Sequence, residues 1–275
     1  MAVSTDVYFS NSIVGQAMAG TDIDVYSAHT SPKYAIGFGF QRADGNKFRY
    51  CHFGLLTTTP GLLVATDVSE SSAPNSPGAV TVTAAPPTAV TTIGQERVKA
   101  NAIGSRYMQL TITPTADQFL GGYLIVTSGT GYGWTYRIMG NTISGTPAST
   151  SATFELDAPI TVALDGTQTA VTIVGCPYSN VEAATSTDKL VVGATMSCVS
   201  TGGYGWVCTH GVVGVLQGAN VTGDGYAACL DTNVAGAVRP LQPSVVSSSS
   251  LTPIVGYYVG AASVSNFSTI YLTLE

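Results

Sequence analysis

Short runs of alternating apolar and polar residues, separated by Gly and Pro turns, constrain the fold of this chain more than any other feature. In residues 268–274, three aliphatic side chains fall on one face of an extended strand, and Tyr271 and Thr273 fall on the other. Thr, Val, Tyr and Ile dominate these runs, as is typical of pleated strands. Residues 43–46 contain an Asp-Gly pair, which predicts a hairpin turn between two runs. The pattern predicts an all-β protein built from small β-barrel or β-sandwich subdomains.

One segment has a helix-forming composition. Residues 95–102 combine Gln, Glu, Arg, Lys and Ala, and Gly104 follows at the point where such a helix would end. The segment is short. We therefore expect at most one helix, of about two turns.

Turn residues and local composition divide the chain into four segments. Residues 1–70 are predicted to form an N-terminal β unit and residues 186–275 a C-terminal small β-barrel, and the two are compatible with one shared barrel. Between them lie residues 71–105, a Pro/Ser/Thr-rich crossing segment with the short helix, and residues 106–185, a middle β subdomain.

Charged residues are unusually scarce and exclude several classes of protein. They make up 9% of the chain, against roughly a quarter in typical soluble domains. Disordered chains combine low hydrophobicity with high charge, whereas this chain is 45% hydrophobic. The net charge of −6 argues against nucleic-acid binding, which needs clustered Lys and Arg to neutralise phosphates. No apolar run is long enough to span a bilayer, so a membrane partner is not expected either.

Residues that carry chemistry are also few. The three histidines (His29, His52 and His210) are far apart in the sequence and form no helical metal-ligand pair, and no nucleophile elbow occurs. The five cysteines are odd in number and lack CxxC spacing, which fits neither a disulfide framework nor a zinc site. We expect reduced, buried thiols, with a bridge between Cys198 and Cys208 as the alternative. The sequence predicts no catalytic residue, no cofactor and no metal site, and therefore no enzyme.

A four-residue sequence, Gly-Tyr-Gly-Trp, occurs twice and contains both tryptophans. Tyr132 and Trp134 belong to the first copy, and Tyr204 and Trp206 belong to the second. Large aromatic side chains on a strand face are strong hydrophobic anchors. The favoured interpretation is therefore two hairpins, each sealing a small core with its tryptophan. In the second copy Tyr204, Trp206, Cys208 and His210 are expected to share one strand face. The alternative is an aromatic platform for a ligand or partner.

Several further segments resemble one family of viral proteins. The similarity is carried mainly by the run Gln-Phe-Leu-Gly-Gly-Tyr-Leu-Ile-Val and by the sequences around the two Gly-Tyr-Gly-Trp copies. The segments concerned are residues 118–126, 131–141, 204–216, 236–238, 253–256 and 271–274. Together they resemble the capsid decoration proteins, also called cement or head-stabilising proteins, of tailed bacteriophages. The resemblance extends over residues 119–275 and, more faintly, over 47–64.

The resemblance implies a virion structural protein rather than an enzyme. Decoration proteins of this kind are made in the host cytoplasm, bind the exterior of the expanded capsid, usually as homotrimers, and clamp neighbouring capsomers. The implied partner is the major capsid protein, with no nucleic acid and no membrane involved. Val7, Tyr8 and Phe9 are a candidate capsid-contact arm that adds a strand to a capsid edge; the alternative is an ordinary first strand.

Two other functions remain open from the sequence. A phage tail-fibre or receptor-binding head would also be a Gly/Ser/Thr-rich β trimer. Fibres usually have a repetitive shaft before the head, and this sequence shows no such shaft, which favours the decoration protein. A carbohydrate-binding β-sandwich would use Trp134 and Trp206 as a stacking platform and requires both indoles to be exposed.

Overall fold

The chain folds into two compact units, each built on one β-sheet. The computed structural model describes residues 7–9, 23–54, 58–66, 78–81, 101–110, 112, 114–142, 152–164, 169–185, 190–220, 224–241 and 252–275. Unit 1 consists of Met1–Asp67 and Pro177–Glu275, and unit 2 consists of Val68–Cys176. Unit 2 is therefore an insertion between two parts of unit 1.

The described residues form seventeen strands, of which β5 to β10 belong to unit 2. In chain order they are β1 (Val7–Phe9), β2 (Gly39–Gln41), β3 (Lys47–His52), β4 (Leu63–Thr66), β5 (Gly78–Thr81), β6 (Tyr107–Leu110), β7 (Tyr123–Ser128), β8 (Thr135–Asn141), β9 (Ala152–Leu156), β10 (Ala170–Val174), β11 (Val181–Ala183), β12 (Val191–Thr195), β13 (Tyr204–Leu216), β14 (Ala227–Leu230), β15 (Val238–Pro240), β16 (Ile254–Gly260) and β17 (Phe267–Thr273).

Unit 1 contains an eleven-stranded antiparallel sheet that curls into a half-barrel. Its main path runs β1-β2-β3-β13-β17-β16-β14-β15, and β12 joins β4 and β11 to the side of β13. The long strand β13 connects the sheet, since its first half pairs with β3 and its second half pairs with β17. One strand thereby joins the β1-β2-β3 part of the sheet to the β17-β16-β14-β15 part.

The core of unit 1 is organised around Trp206. The indole is fully buried and lies between the rings of Tyr34, Tyr50 and Phe40, with centroid distances of 5.3, 5.2 and 6.1 Å. On the opposite face of the same strand, Val207 packs into a second cluster. The first half of β13 is therefore buried on both faces.

Unit 2 contains a six-stranded antiparallel sheet in the order β5-β10-β7-β8-β9-β6. Alternate residues of these strands supply one hydrophobic core. Its members include Leu124 and Val126 on β7, Tyr136 and Ile138 on β8, and Phe154 on β9. The intervening residues occupy the other, more exposed face of the sheet.

The all-β class predicted from the alternation is confirmed, and the described residues include no helix. The predicted hairpin turn forms between β2 and β3: Arg42 N–H donates to the Asn46 carbonyl at 2.9 Å, and Gly45 adopts a φ of 90°. Most of the expected helix at 95–102 lies outside the described residues, and its last two residues are in a turn. The four predicted segment boundaries stay predictions.

Candidate functional site

Three neighbouring strands of unit 1 present an outer face without charge. Neither β13 nor β16 nor β17 contains an Asp, Glu, Lys or Arg residue. Their outward side chains are mostly aliphatic or aromatic, and we call this surface the uncharged face. Its exposed members are Val212, Ile254, Tyr257, Val259, Phe267 and Tyr271.

The strand register places the centre of the uncharged face in a single row. Val212 on β13 lies directly opposite Tyr271 on β17, and Tyr271 in turn lies opposite Tyr257 on β16. Directly opposed side chains on one face of an antiparallel pair are in reach of each other. Tyr257 is 51% exposed and Val212 is 48% exposed, so most of this row is open to solvent.

A β-bulge in β13 determines which residues reach the uncharged face. The register against β3 shifts between Cys208 and His210, so the side-chain alternation changes there. Trp206 and Cys208 point into the core before the bulge, and Val213 and Val215 do so after it. The expectation that His210 shares the face of Trp206 and Cys208 is therefore wrong, because the bulge turns His210 outward.

A glycine and an asparagine stabilise the bulge. Gly211 has a φ of 101°, a conformation that L side chains rarely adopt. Asn46, in the turn between β2 and β3, accepts a hydrogen bond from Val212 N–H at 3.0 Å through its Oδ1. A Cβ at Gly211 would overlap that same oxygen. The hairpin turn thus fixes the start of the outward-facing half of β13.

The inner side of these three strands is fixed by buried polar contacts. The amide oxygen of Gln217, a residue that is 1% exposed, accepts hydrogen bonds from Tyr258 Oη at 3.1 Å and Ser268 Oγ at 2.7 Å. Burial raises the pKa of Tyr258 to about 12, so the phenol stays protonated and remains a donor at neutral pH. Gln217, which follows β13, is thereby joined to both β16 and β17 beneath the uncharged face.

A histidine and an ion pair lie at one end of the uncharged face. Tyr271 Oη and His210 Nε2 are 3.1 Å apart. Beyond them, Glu275 accepts hydrogen bonds from Arg49 Nε at 2.8 Å and from Tyr178 Oη at 2.7 Å. Burial alone would raise the pKa of Glu275, but these bonds and the Arg49 charge outweigh it and lower the pKa.

The two Gly-Tyr-Gly-Trp copies have different environments. Trp206 is fully buried and Tyr204 packs against the same core, as expected of anchors. Trp134 is 45% exposed and Tyr132 is 77% exposed, so the first copy seals no core. The alternative of a platform that uses both tryptophans is also wrong, because a fully buried Trp206 has no face available for a ligand.

The candidate arm is a strand of unit 1. Val7, Tyr8 and Phe9 form β1 and pair with Gln41, Phe40 and Gly39 of β2. β1 ends the strand order of its sheet, and within the described residues its other edge has no partner strand. A role for these residues in capsid contact stays a prediction.

The remaining histidines and cysteines of the described part of the chain lie in several separate environments. No group of three or more His, Cys, Asp or Glu residues is placed to hold a metal ion there. His29 and His52, which are distant in sequence, both lie next to Tyr204, and burial lowers the pKa of each. All five cysteines are free thiols, and Cys198 alone is exposed, so the Cys198–Cys208 bridge does not form.

Comparison with known proteins gives no relative from which to transfer a role. No family model, curated protein or solved structure matches the chain. Among the described residues, no helix has the length and apolar character needed to cross a membrane. The uncharged face was missed at the sequence level, although a signal was present: three β segments in the C-terminal part lack any charged residue.

Proposed function

We propose that this protein is a virion structural protein, a decoration or cement protein that binds the outer surface of a phage head as a homotrimer. The observation that carries the proposal is the uncharged face of unit 1. The sequence resemblance to capsid decoration proteins supplies the identity of the partner, the major capsid protein.

The composition of the uncharged face is that of a permanent protein interface. Interface cores are depleted of charged residues and enriched in Tyr and Phe, and permanent interfaces are more hydrophobic than transient ones. Contiguous exposed apolar patches on soluble domains mark interaction sites. Tyr257, Phe267 and Tyr271 meet this description. We assign the uncharged face to contacts between copies of this chain.

The contact with the shell is assigned to a different part of unit 1. The outer edge of β1 presents backbone donors and acceptors that pair with no strand of the described chain. An extended segment of a partner adds to such an edge through main-chain hydrogen bonds. In this proposal, a strand of the capsid protein pairs with Val7–Phe9 and so attaches the trimer to the shell.

The decisive experiment is binding to purified expanded heads. The protein is mixed with heads that lack it, and added density is sought by electron cryomicroscopy. We expect discrete protrusions at threefold or quasi-threefold positions, and a chain lacking residues 1–9 should remain trimeric but fail to bind. Heads without added density would contradict the proposal. Binding to host cells in place of heads would favour the tail-fibre or receptor-binding alternative.

The assignment of the uncharged face has its own test. Light scattering should give three times 28.2 kDa for the natural chain. Val212→Lys and Tyr257→Lys should each yield a folded monomer, because association would bury an unpaired charge at a cost of several kcal/mol. Tyr132→Lys, at an aromatic residue of unit 2 that is 77% exposed, is the control and should remain trimeric. A trimer that persists in both face variants would refute the assignment.

A further inference from the structure

Unit 2 has a small polar cleft on the exposed face of its sheet. Tyr107 on β6 lies directly opposite Glu155 on β9, and Glu155 is in register with Gly140 on β8. Because glycine has no side chain, this cross-strand row of side chains leaves a gap at Gly140. The cleft, about 140 Å³ in volume, opens over this position, and we call it the Gly140 cleft.

Asp117 also lines the Gly140 cleft. A Cβ added at Gly140 would lie 3.1 Å from Asp117 Oδ1, so this carboxylate borders the space left by the glycine. Asp117 adopts a φ of 53° and forms two hydrogen bonds with the backbone of Asn141. The Asp117 N–H donates to the Asn141 carbonyl at 3.0 Å, and the Asp117 Oδ1 accepts from the Asn141 N–H at 3.3 Å.

Asn141 holds the base of the cleft in place. The residue is 6% exposed, and its side-chain oxygen accepts a hydrogen bond from Phe119 N–H at 2.9 Å while its amide donates to the Thr115 carbonyl at 2.7 Å. A buried side-chain amide satisfied on both sides is a rigid element. These two hydrogen bonds hold the Asn141 side chain at the base of the Gly140 cleft.

The lining favours a ligand that donates hydrogen bonds. Asp117 and Glu155 contribute two carboxylates, which are acceptors, and Thr142 and Thr153 contribute hydroxyls. No Lys or Arg lines the cleft, which disfavours anions. Within the described residues, the Glu155 carboxylate forms no hydrogen bond or ion pair and is available to a ligand.

The volume of the Gly140 cleft and the presence of Tyr107 in its lining narrow the ligand class further. Pockets for drug-sized molecules have volumes of about 300–1,000 Å³. The Gly140 cleft is smaller and suits a single ring. Tyr107 is among the lining residues, and a tyrosine side chain combines an apolar ring with a polar hydroxyl. A pyranose has the matching combination of hydroxyl donors around its rim and C–H groups on its face.

We propose that the Gly140 cleft binds one pyranose unit of a saccharide, with its hydroxyls donating to Asp117 and Glu155 and its ring against Tyr107. This activity is separate from the proposed attachment to a shell, which uses unit 1. Unit 2 would give the assembled particle a contact to surface polysaccharide.

The test is titration of the full-length protein with the methyl glycosides of glucose, galactose, mannose and N-acetylglucosamine. Binding is measured by saturation-transfer NMR and by calorimetry. We expect saturable binding of at least one glycoside. Glu155→Gln and Gly140→Val should each weaken it by at least about tenfold, with unchanged thermal unfolding for Glu155→Gln. Trp134→Ala, an exposed aromatic residue of unit 2 outside the cleft, is the control and should bind normally.

Three outcomes would overturn the proposal. Absence of binding to all four glycosides would do so, as would loss of binding in Trp134→Ala with retention in Glu155→Gln, since the turn around Trp134 would then be the site. Saturable Ca²⁺ binding that is abolished by Glu155→Gln and that excludes the glycoside would identify the cleft as a cation site instead.

Discussion

Arg49 and Glu275, separated by 226 positions in the chain, are joined by a hydrogen-bonded ion pair of 2.8 Å between Nε and Oε1. Thr209 Oγ1 also donates to this carboxylate, at 3.1 Å to Oε2. The carboxylate thus links β3, β13 and the residues after β17. Three separate segments of unit 1 depend on one ionised group.

The first prediction concerns the pH dependence of this link. The pKa of Glu275 in the folded state is below its ordinary value of 4.5. Its stabilising effect is therefore complete above pH 4.5 and is lost as the pH falls through the folded-state pKa. Glu275→Gln should lower the free energy of unfolding by about 1 kcal/mol at pH 7, a value reduced for partial exposure. Urea denaturation at several pH values measures this difference.

The difference between Glu275→Gln and the natural chain should shrink steadily below pH 4.5. Glu155→Gln serves as the matched control, because the Glu155 carboxylate has no described partner. This variant should change the free energy of unfolding by less than about 0.5 kcal/mol at both pH 3 and pH 7. An equal deficit for Glu275→Gln at pH 3 and pH 7 would be inconsistent with a role for the ionised carboxylate.

The second prediction separates the two tryptophans. Trp206 is fully buried and Trp134 is nearly half exposed. In the Trp134→Phe variant, the remaining fluorescence should be blue-shifted and almost insensitive to acrylamide. In Trp206→Phe, emission should be red-shifted and readily quenched. Equal quenching of the two single-tryptophan proteins would contradict the core position of Trp206.

The third prediction concerns the bulge at Gly211. Gly211→Ala must accept a φ of 101° and displace the Asn46 side chain, so it should destabilise the protein by about 2–4 kcal/mol. Gly45→Ala is the matched control: its φ is 90°, but a Cβ there meets no atom within 4 Å. That variant should lose only about 1 kcal/mol. Similar losses in the two variants, measured by urea denaturation, would show that the contact with Asn46 is unimportant.

The fourth prediction concerns thiol reactivity. Cys198 is exposed, whereas the other four cysteines are buried, and burial raises the pKa of Cys208 to about 12. Native protein at pH 8 should therefore release one equivalent of thionitrobenzoate from Ellman's reagent, and unfolded protein should release five. Cys198→Ser should reduce the native value to zero. A native value of two or more would place another cysteine at the surface.

The sequence predicts the strands well because their alternation is local. In residues 268–274 the sequence places Ile270 and Leu272 on one face and Tyr271 on the other, and in the structure the first two are buried and Tyr271 is exposed. The bulge at His210 was not predictable in this way. It depends on Asn46, which lies in a distant hairpin, and a strand pattern carries no information about such a partner.

The two Gly-Tyr-Gly-Trp copies also show that a local sequence does not determine its own structure. In the first copy Gly131 and Gly133 have positive φ values, so the motif is itself the turn and β8 begins only after Trp134. In the second copy the positive φ falls earlier, at Gly202, and Tyr204 already starts β13. Glycine permits both conformations. Identical residues therefore produce an exposed turn in one unit and a buried strand in the other.

The way in which unit 2 interrupts unit 1 has a consequence for engineering. On the unit 1 side of the interruption, Thr66 Oγ1 donates to the Pro177 carbonyl at 2.6 Å, and Thr66 is paired in register with Val181. The two points at which the chain leaves and rejoins unit 1 are thus neighbours. Insertions are tolerated where the flanking ends are close together. Unit 1 has the connectivity of a display scaffold, in which a different folded module with adjacent termini can replace residues 68–176.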